Sequence, residues 1–149
     1  MNVICVDDSR LTLFSLRRKI GCIVPDAVVA ACHNAKQAVD SARKNGCDVL
    51  LTELDIGGSE TGGLDLARWI REINPNVNII FVTVAPEWEH AKDVLQVRPS
   101  GYVRKPFNQE ELAGEFANLR YAVPCSGAAR TTGGPERLTE YDMEREQIT

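Results

Sequence analysis

No run of apolar residues in this chain approaches the roughly 18 that a membrane-spanning helix needs. Met1 leads into Asn-Val-Ile-Cys-Val-Asp-Asp, without a basic leader or a cleavage site. The expectation is a cytoplasmic domain with no membrane contact. Basic blocks are also scarce. The chain carries 17 Lys and Arg against 21 Asp and Glu, a net charge of −4, and nothing longer than Arg17-Arg18-Lys19. That argues against direct nucleic-acid binding by this chain alone and leaves those three residues as the solvated face of a helix. The five cysteines, Cys5, Cys22, Cys32, Cys47 and Cys125, are odd in number and include no C-x-x-C pair. A disulfide framework is therefore not expected, and their mostly apolar neighbours mark them as reduced core thiols. His33 and His90 stand singly, without metal-ligand spacing, and read as surface or helix-start residues. The glycine-rich stretch Gly57-Gly58-Ser59-Glu60-Thr61-Gly62-Gly63 contains neither a P-loop nor a dinucleotide fingerprint, so it reads as a flexible turn rather than a phosphate cradle.

What the chain does have is a regular alternation. With 149 residues, 44% of them hydrophobic and 26% charged, it can build one core. Asn2-Val3-Ile4-Cys5-Val6 is short, β-branched and unbroken by polar positions, as in a strand covered on both faces. Ser9 then caps a helix over 10–20, with Leu13, Leu16 and Ile20 at helical spacing and Gly21 closing it. The same unit recurs: strands over 27–31, 48–53, 78–82 and 102–103, and helices over 35–45, 64–73, 87–97 and 109–121. Asn45-Gly46 and Asn74-Pro75 end helices, and Asn108 with Glu111 forms a capping box. Five βα units with right-handed crossovers predict a doubly wound α/β fold. Its five-stranded parallel sheet has helices on both faces and a ligand site at the strands' carboxyl ends.

Beyond residue 122 the pattern fails. Residues 123–149 read as a linker and tail, with Ser-Gly-Ala-Ala and Thr-Thr-Gly-Gly-Pro stretches followed by a charged segment whose residues 138–148 have the composition of a short docking helix.

Asp7, Asp8, Glu53, Thr83 and Lys105 all fall at or just past the carboxyl ends of predicted strands. Two adjacent carboxylates after a buried strand need compensation, either by a hard divalent cation or by the positive end of the following helix. Lys105 precedes a proline, which permits a cis bond that aims the ammonium back across the pocket. Thr83 offers a hydroxyl to a phosphoryl oxygen, or simply caps its strand.

Val6-Asp7-Asp8-Ser9, Ile79-Ile80-Phe81-Val82-Thr83 and Ser100-Gly101-Tyr102-Val103-Arg104-Lys105-Pro106-Phe107 together resemble the signature segments of bacterial response-regulator receiver domains, over about residues 1–122. The resemblance implies a flavodoxin-like sheet of order 2-1-3-4-5 in a two-component signalling domain, whose full-length relatives often regulate transcription. It also implies Mg²⁺ held by Asp7, Asp8, the acceptor carboxylate and the backbone carbonyl of Asp55. Thr83 and Lys105 would contact a phosphoryl group. Thr83 and Tyr102 would move together to reshape the face made by the fourth helix, fifth strand and fifth helix, a possible homodimer surface. Trp88 beside that face is either a partner contact or core. A histidine kinase or another signalling protein is the implied partner.

The acceptor is where the chain departs from the resemblance. Counted forward from Asp48, the acceptor position falls on Glu53. Counted back from Gly63-Leu64-Asp65-Leu66, it falls on Asp55. Glu53 is favoured, because loops absorb insertions more readily than buried strands. Glutamate extends its carboxylate by roughly 1.5 Å, one further carbon–carbon bond. An acyl phosphate there would be misplaced, so the expectation is an atypical, phosphorylation-independent or phosphomimetic receiver with Mg²⁺ binding weakened or lost. A conventional receiver using Asp55 is the alternative, and an aspartate-nucleophile phosphatase is the third reading.

Overall fold

The computed structural model describes residues 1–124. Cys125 and the segments 126–149, including the helix expected over 138–148, lie outside the described residues. Five parallel strands, β1 (Asn2–Val6), β2 (Val28–Cys32), β3 (Val49–Thr52), β4 (Asn78–Thr83) and β5 (Gly101–Arg104), form one sheet of order β2-β1-β3-β4-β5. Helices α1 (Arg10–Ile23), α2 (Ala35–Asn45), α3 (Gly62–Ile73), α4 (Ala91–Gln96) and α5 (Gln109–Ala117) alternate with them. This is the doubly wound arrangement expected from the alternation, with the strands in the flavodoxin-like order that the resemblance implies.

Side-chain alternation along the strands builds two cores. Val3, Cys5, Leu51 and Val82 face α1 and α5, where Leu13, Leu16, Ile20 and Leu112 meet them. Ile4, Val6, Leu50 and Phe81 face α2, α3 and α4, against Ala38, Leu66, Ile70 and Val94. A strand covered on both sides is apolar along most of its length, and β1, β3 and β4 are almost wholly buried, with polar Thr52, Asn78 and Thr83 only at strand ends. Each fully buried aliphatic side chain contributes roughly 1.5–3 kcal/mol.

Local chemistry sets most boundaries. Ser9 Oγ accepts from the Thr12 amide at 3.3 Å, Gly46 ends α2 at φ 83°, and the Asn108/Glu111 capping box has both of its bonds. Four helix boundaries differ from the sequence expectation by two residues or more. Gly21 does not close α1, which runs on to Ile23. One helical glycine costs only about 1 kcal/mol, less than the burial of Ile20 and Ile23 contributes, and the helix stops where Pro25 constrains Val24. Helix α3 begins at Gly62, two residues early. Helix α4 begins at Ala91 rather than 87, because Glu87 to His90 form a turn after Pro86, with the Glu89 amide bonded to the Pro86 carbonyl at 3.1 Å. Helix α5 stops at Ala117 because buried Asn78 binds both backbone groups of Tyr121, at 2.7 and 2.9 Å. Strand ends differ by one residue. Cys5, Cys32 and Cys47 are buried as expected, whereas Cys22, two positions beyond Ile20 on α1, is exposed.

Candidate functional site

The pocket lies where the sheet's carboxyl ends open between the loops after β1, β3, β4 and β5. Asp7 follows β1 directly, its amide bonded to the Cys32 carbonyl at 3.3 Å. Glu53 follows β3, with its amide on the Val6 carbonyl at 3.1 Å. Lys105 follows β5, with its amide on the Thr83 carbonyl at 2.8 Å. Sheet register thus delivers three charged side chains from positions 7, 53 and 105 to one place. The Lys105–Pro106 bond is cis.

The Lys105 ammonium donates to Asp7 Oδ2 at 2.7 Å and to Glu53 Oε1 at 2.8 Å. The side chains of Lys105, Asp7 and Glu53 are only 17%, 6% and 10% exposed, so this is a largely desolvated triad. The remaining oxygens are also taken. Asp7 Oδ1 accepts from the Ser9 amide at 2.8 Å, and Glu53 Oε2 accepts from the Leu54 amide at 2.8 Å and, more weakly, from that of Asp55 at 3.4 Å. Every carboxylate oxygen of Asp7 and Glu53 therefore has an N–H donor, and two negative charges share one positive charge. Burial pulls the Lys105 pKa down, but the hydrogen bonds and charges of Asp7 and Glu53 outweigh it and hold the ammonium above its ordinary value.

Asp8 and Asp55 are exposed and line the surrounding cleft of about 490 Å³ with Glu60, Glu89 and His90. His90 occupies the position just before α4, half-buried and 3.7 Å from Glu89; His33 stands just before the Asn34 cap of α2. Both are at helix starts, as expected. The oxygen donors suit a hard cation chemically. Yet among the described residues no three metal-capable side chains gather around one point, and the buried oxygens already hold N–H donors. The arrangement does not fit a Mg²⁺ ion as it stands.

Thr83 and Tyr102 meet at a single backbone residue. Thr83 Oγ1, fully buried, accepts from the Ala85 amide at 3.2 Å, and the Tyr102 hydroxyl donates to the Ala85 carbonyl at 2.7 Å. Tyr102 is half-buried against Phe81, ring centres 6.3 Å apart. The turn after β4 is thus pinned from both sides. Burial, then the charge of Glu87, pushes the Tyr102 phenol up to about 12. Trp88 is 77% exposed, so it forms no part of the core.

These two shifts carry a sign. Both groups have folded pKa values above their ordinary ones, 10.0 for Tyr102 and 10.5 for Lys105. Their stabilisation is complete below those ordinary values and is lost as pH rises through the higher folded ones. Urea midpoints are therefore expected to fall above pH 10, and Tyr102→Phe is expected to flatten the part of that fall between pH 10 and about 12. Unchanged alkaline curves in the variant would contradict the assignment.

Sequence reasoning missed Gly63 as a positioning residue. Its amide donates to the Leu54 carbonyl at 2.8 Å, and a Cβ there would lie 2.1 Å from the Glu53 carbonyl oxygen and 2.9 Å from Leu54 Cα. Both obstacles are backbone and cannot swing aside. Gly63→Ala is expected to cost about 1–3 kcal/mol in chemical denaturation through overpacking, and to displace Glu53. The signal was present in the glycine before Leu64-Asp65-Leu66, but what approaches it is not local. Ahead of it, Ile56 and Ser59 pair across Gly57 and Gly58, whose φ angles of 64° and 77° allow the tight turn.

The profile of the response regulator receiver domain matches residues 3–117. The response regulator UvrY of Escherichia coli is 32% identical over 119 residues, which cover 80% of this chain and 54% of that protein. The transcriptional regulatory protein RcsB of the same species is 28% identical over 121 residues, 80% of this chain and 56% of that protein. The chain thus spans about half the length of these curated relatives. The isolated receiver domain of RcsB from Salmonella enterica serovar Typhimurium, solved with the phosphomimetic BeF₃⁻, superposes with a TM-score of 0.68 at 25% identity, covering 78% of this chain and 86% of that one.

Proposed function

Because this chain belongs to the response regulator receiver domains, signalling modules of two-component systems that interact with histidine kinases, we propose that it is an atypical receiver that holds its signalling state without phosphorylation. Residues 1–122 form the receiver and 123–149 its linker and tail. Glu53 occupies the acceptor position. The observation that carries this reading is that the Glu53 carboxylate already contacts the Lys105 ammonium at 2.8 Å, with all four oxygens of Asp7 and Glu53 engaged by N–H donors.

In an acid–base account, Lys105 is the cation that would otherwise neutralise an incoming phosphoryl oxygen. Here Glu53 and Asp7 consume its charge beforehand. Glu53 imitates only part of a phosphoryl group, which would bring roughly −1.5 to −2 charges. The surrounding carboxylates of Asp8, Asp55, Glu60 and Glu89 add negative potential that disfavours an anionic donor. Asp55, two residues past Glu53, is exposed and contributes its amide to Glu53 Oε2, which supports Glu53 over Asp55 as the acceptor-position residue.

The domain signals in the cytoplasm through protein contacts. Exposed Trp88 and Leu95 and the groove beside Tyr102 favour the α4, β5 and α5 face for a signalling partner or a second copy. The decisive experiment is incubation with acetyl phosphate and Mg²⁺ followed by intact-mass analysis. No stoichiometric phosphate is expected. Stoichiometric, hydroxylamine-labile phosphate on Glu53 or Asp55 overturns the reading.

A further inference from the structure

At the opposite end of the sheet from the pocket, one guanidinium joins three segments that are remote in sequence. Arg71, in the last turn of α3, donates through Nη1 to the carbonyls of Pro75 at 3.0 Å and Val77 at 2.7 Å, in the turn leading into β4. Through Nη2 it donates to the carbonyl of Val97 and, at 3.1 Å, to that of Arg98, where α4 ends. The guanidinium also stands 5.4 Å from the centre of the Tyr121 ring, in the segment that leaves α5.

The end of α4 needs such a hold. Among its six residues only Val94 is buried, and no side chain caps its start. Arg98, which follows it, has φ 50°, a left-handed conformation unfavourable for a residue with a Cβ. The Arg98 carbonyl is directed at Arg71.

A second set of bonds links the same two places. Ser100, in the turn between α4 and β5, donates through its hydroxyl to Asn78 Oδ1 at 2.8 Å and accepts from the Arg120 amide at 3.1 Å. Asn78, fully buried, holds both backbone groups of Tyr121. Residues 97–100 and 120–121 therefore share anchors on Arg71, Asn78 and Ser100, and neither segment can shift without disturbing those anchors.

We propose that Arg71, assisted by Asn78 and Ser100, couples the end of α4 to the segment leaving α5, so that displacement of α4 is transmitted along the amino edge of the sheet to residues 118–124. The coupling does not depend on how Glu53 is used. Arg71 is a positioning residue: it touches no group of the pocket.

Amide hydrogen exchange on the full chain tests this. Arg71→Lys keeps the charge but loses the planar fork that serves four carbonyls. It is expected to speed exchange about tenfold both at 97–101 and at 119–123, while amides 54, 55 and 105 stay unchanged. Tyr121→Leu removes only the ring, yet is expected to speed exchange at 97–101 several-fold, less than additively with Arg71→Lys. If Tyr121→Leu affects only its own neighbourhood, or Arg71→Lys only 97–98, the segments are independently anchored and the coupling is wrong. Ser100→Ala, a milder change, offers the same reading should either variant unfold: acceleration in both windows supports the coupling, and acceleration in one overturns it.

Discussion

Glu53→Asp is expected to convert a chain that takes no phosphate from acetyl phosphate into one that does, with a rate gain of at least about 100-fold. Shortening the side chain by roughly 1.5 Å withdraws its carboxylate from Lys105, now 2.8 Å away, and from the Leu54 amide that holds Oε2. Two things follow. Lys105 regains capacity to meet a phosphoryl oxygen, and the nucleophile moves back from a space that the glutamate fills. Positioning errors near 1 Å cost about 100-fold in such reactions, and restoring the position returns that factor. Intact-mass kinetics with Mg²⁺ and acetyl phosphate measure it. Glu53→Gln is the control, since it keeps the length, removes the charge and should remain unphosphorylated. A Glu53→Asp variant as inert as the parent would show that the barrier lies elsewhere, for instance in the acidic rim of Asp8, Asp55, Glu60 and Glu89.

Lys105→Met is expected to destabilise the fold by about 3 kcal/mol, the lower end of the cost of removing one partner from a buried ion pair. The size follows from what is left behind. Asp7 and Glu53 remain, with side chains 6% and 10% exposed, as two carboxylates facing one vacated ammonium site. Their N–H donors from Ser9 and Leu54 persist but carry no full charge. Glu53→Gln should cost less, since Asp7 still pairs with Lys105. In the double variant the penalty should fall below the sum, because removing Glu53's charge relieves the repulsion that Lys105→Met exposes. Urea denaturation near pH 7 reads all three. A loss under about 0.5 kcal/mol for Lys105→Met would be that of a screened surface pair, and the triad would then not hold the pocket.

These outcomes separate two functions of the same residues. The first variant asks whether Glu53 blocks phosphotransfer; the second asks whether the triad is an energetic unit. A chain that gains phosphorylation on Glu53→Asp while tolerating Lys105→Met would be a receiver with a misplaced acceptor. A chain showing both effects has an acceptor position converted into a structural lock.

Much of this was legible in the residues themselves. The short, continuously buried runs of β1, β3 and β4 and the helical spacing of Leu13, Leu16 and Ile20 depend on neighbours within a few positions. The Ser9 cap, the Asn108/Glu111 box and the Gly46 turn are equally local. The alternation of strand and helix then constrains topology, since parallel strands require crossovers of one hand. The same alternation places Asp7, Asp8, Glu53, Thr83 and Lys105 at one end of the sheet.

What only the tertiary structure decided depends on partners distant in sequence. Helix α5 stops at Ala117 because Asn78, 43 residues from Tyr121, captures the chain. Gly63 is required because the Glu53 carbonyl approaches it across a loop. Trp88 faces solvent because the residues expected to begin α4 form a turn instead. Above all, an aspartate pair, a glutamate and a lysine in a sequence announce an acidic pocket but not its state of charge. Only the fold brings the Lys105 ammonium within 2.7 Å of Asp7 and 2.8 Å of Glu53. Coulombic compensation depends on distance and desolvation, which the order of residues along the chain does not contain.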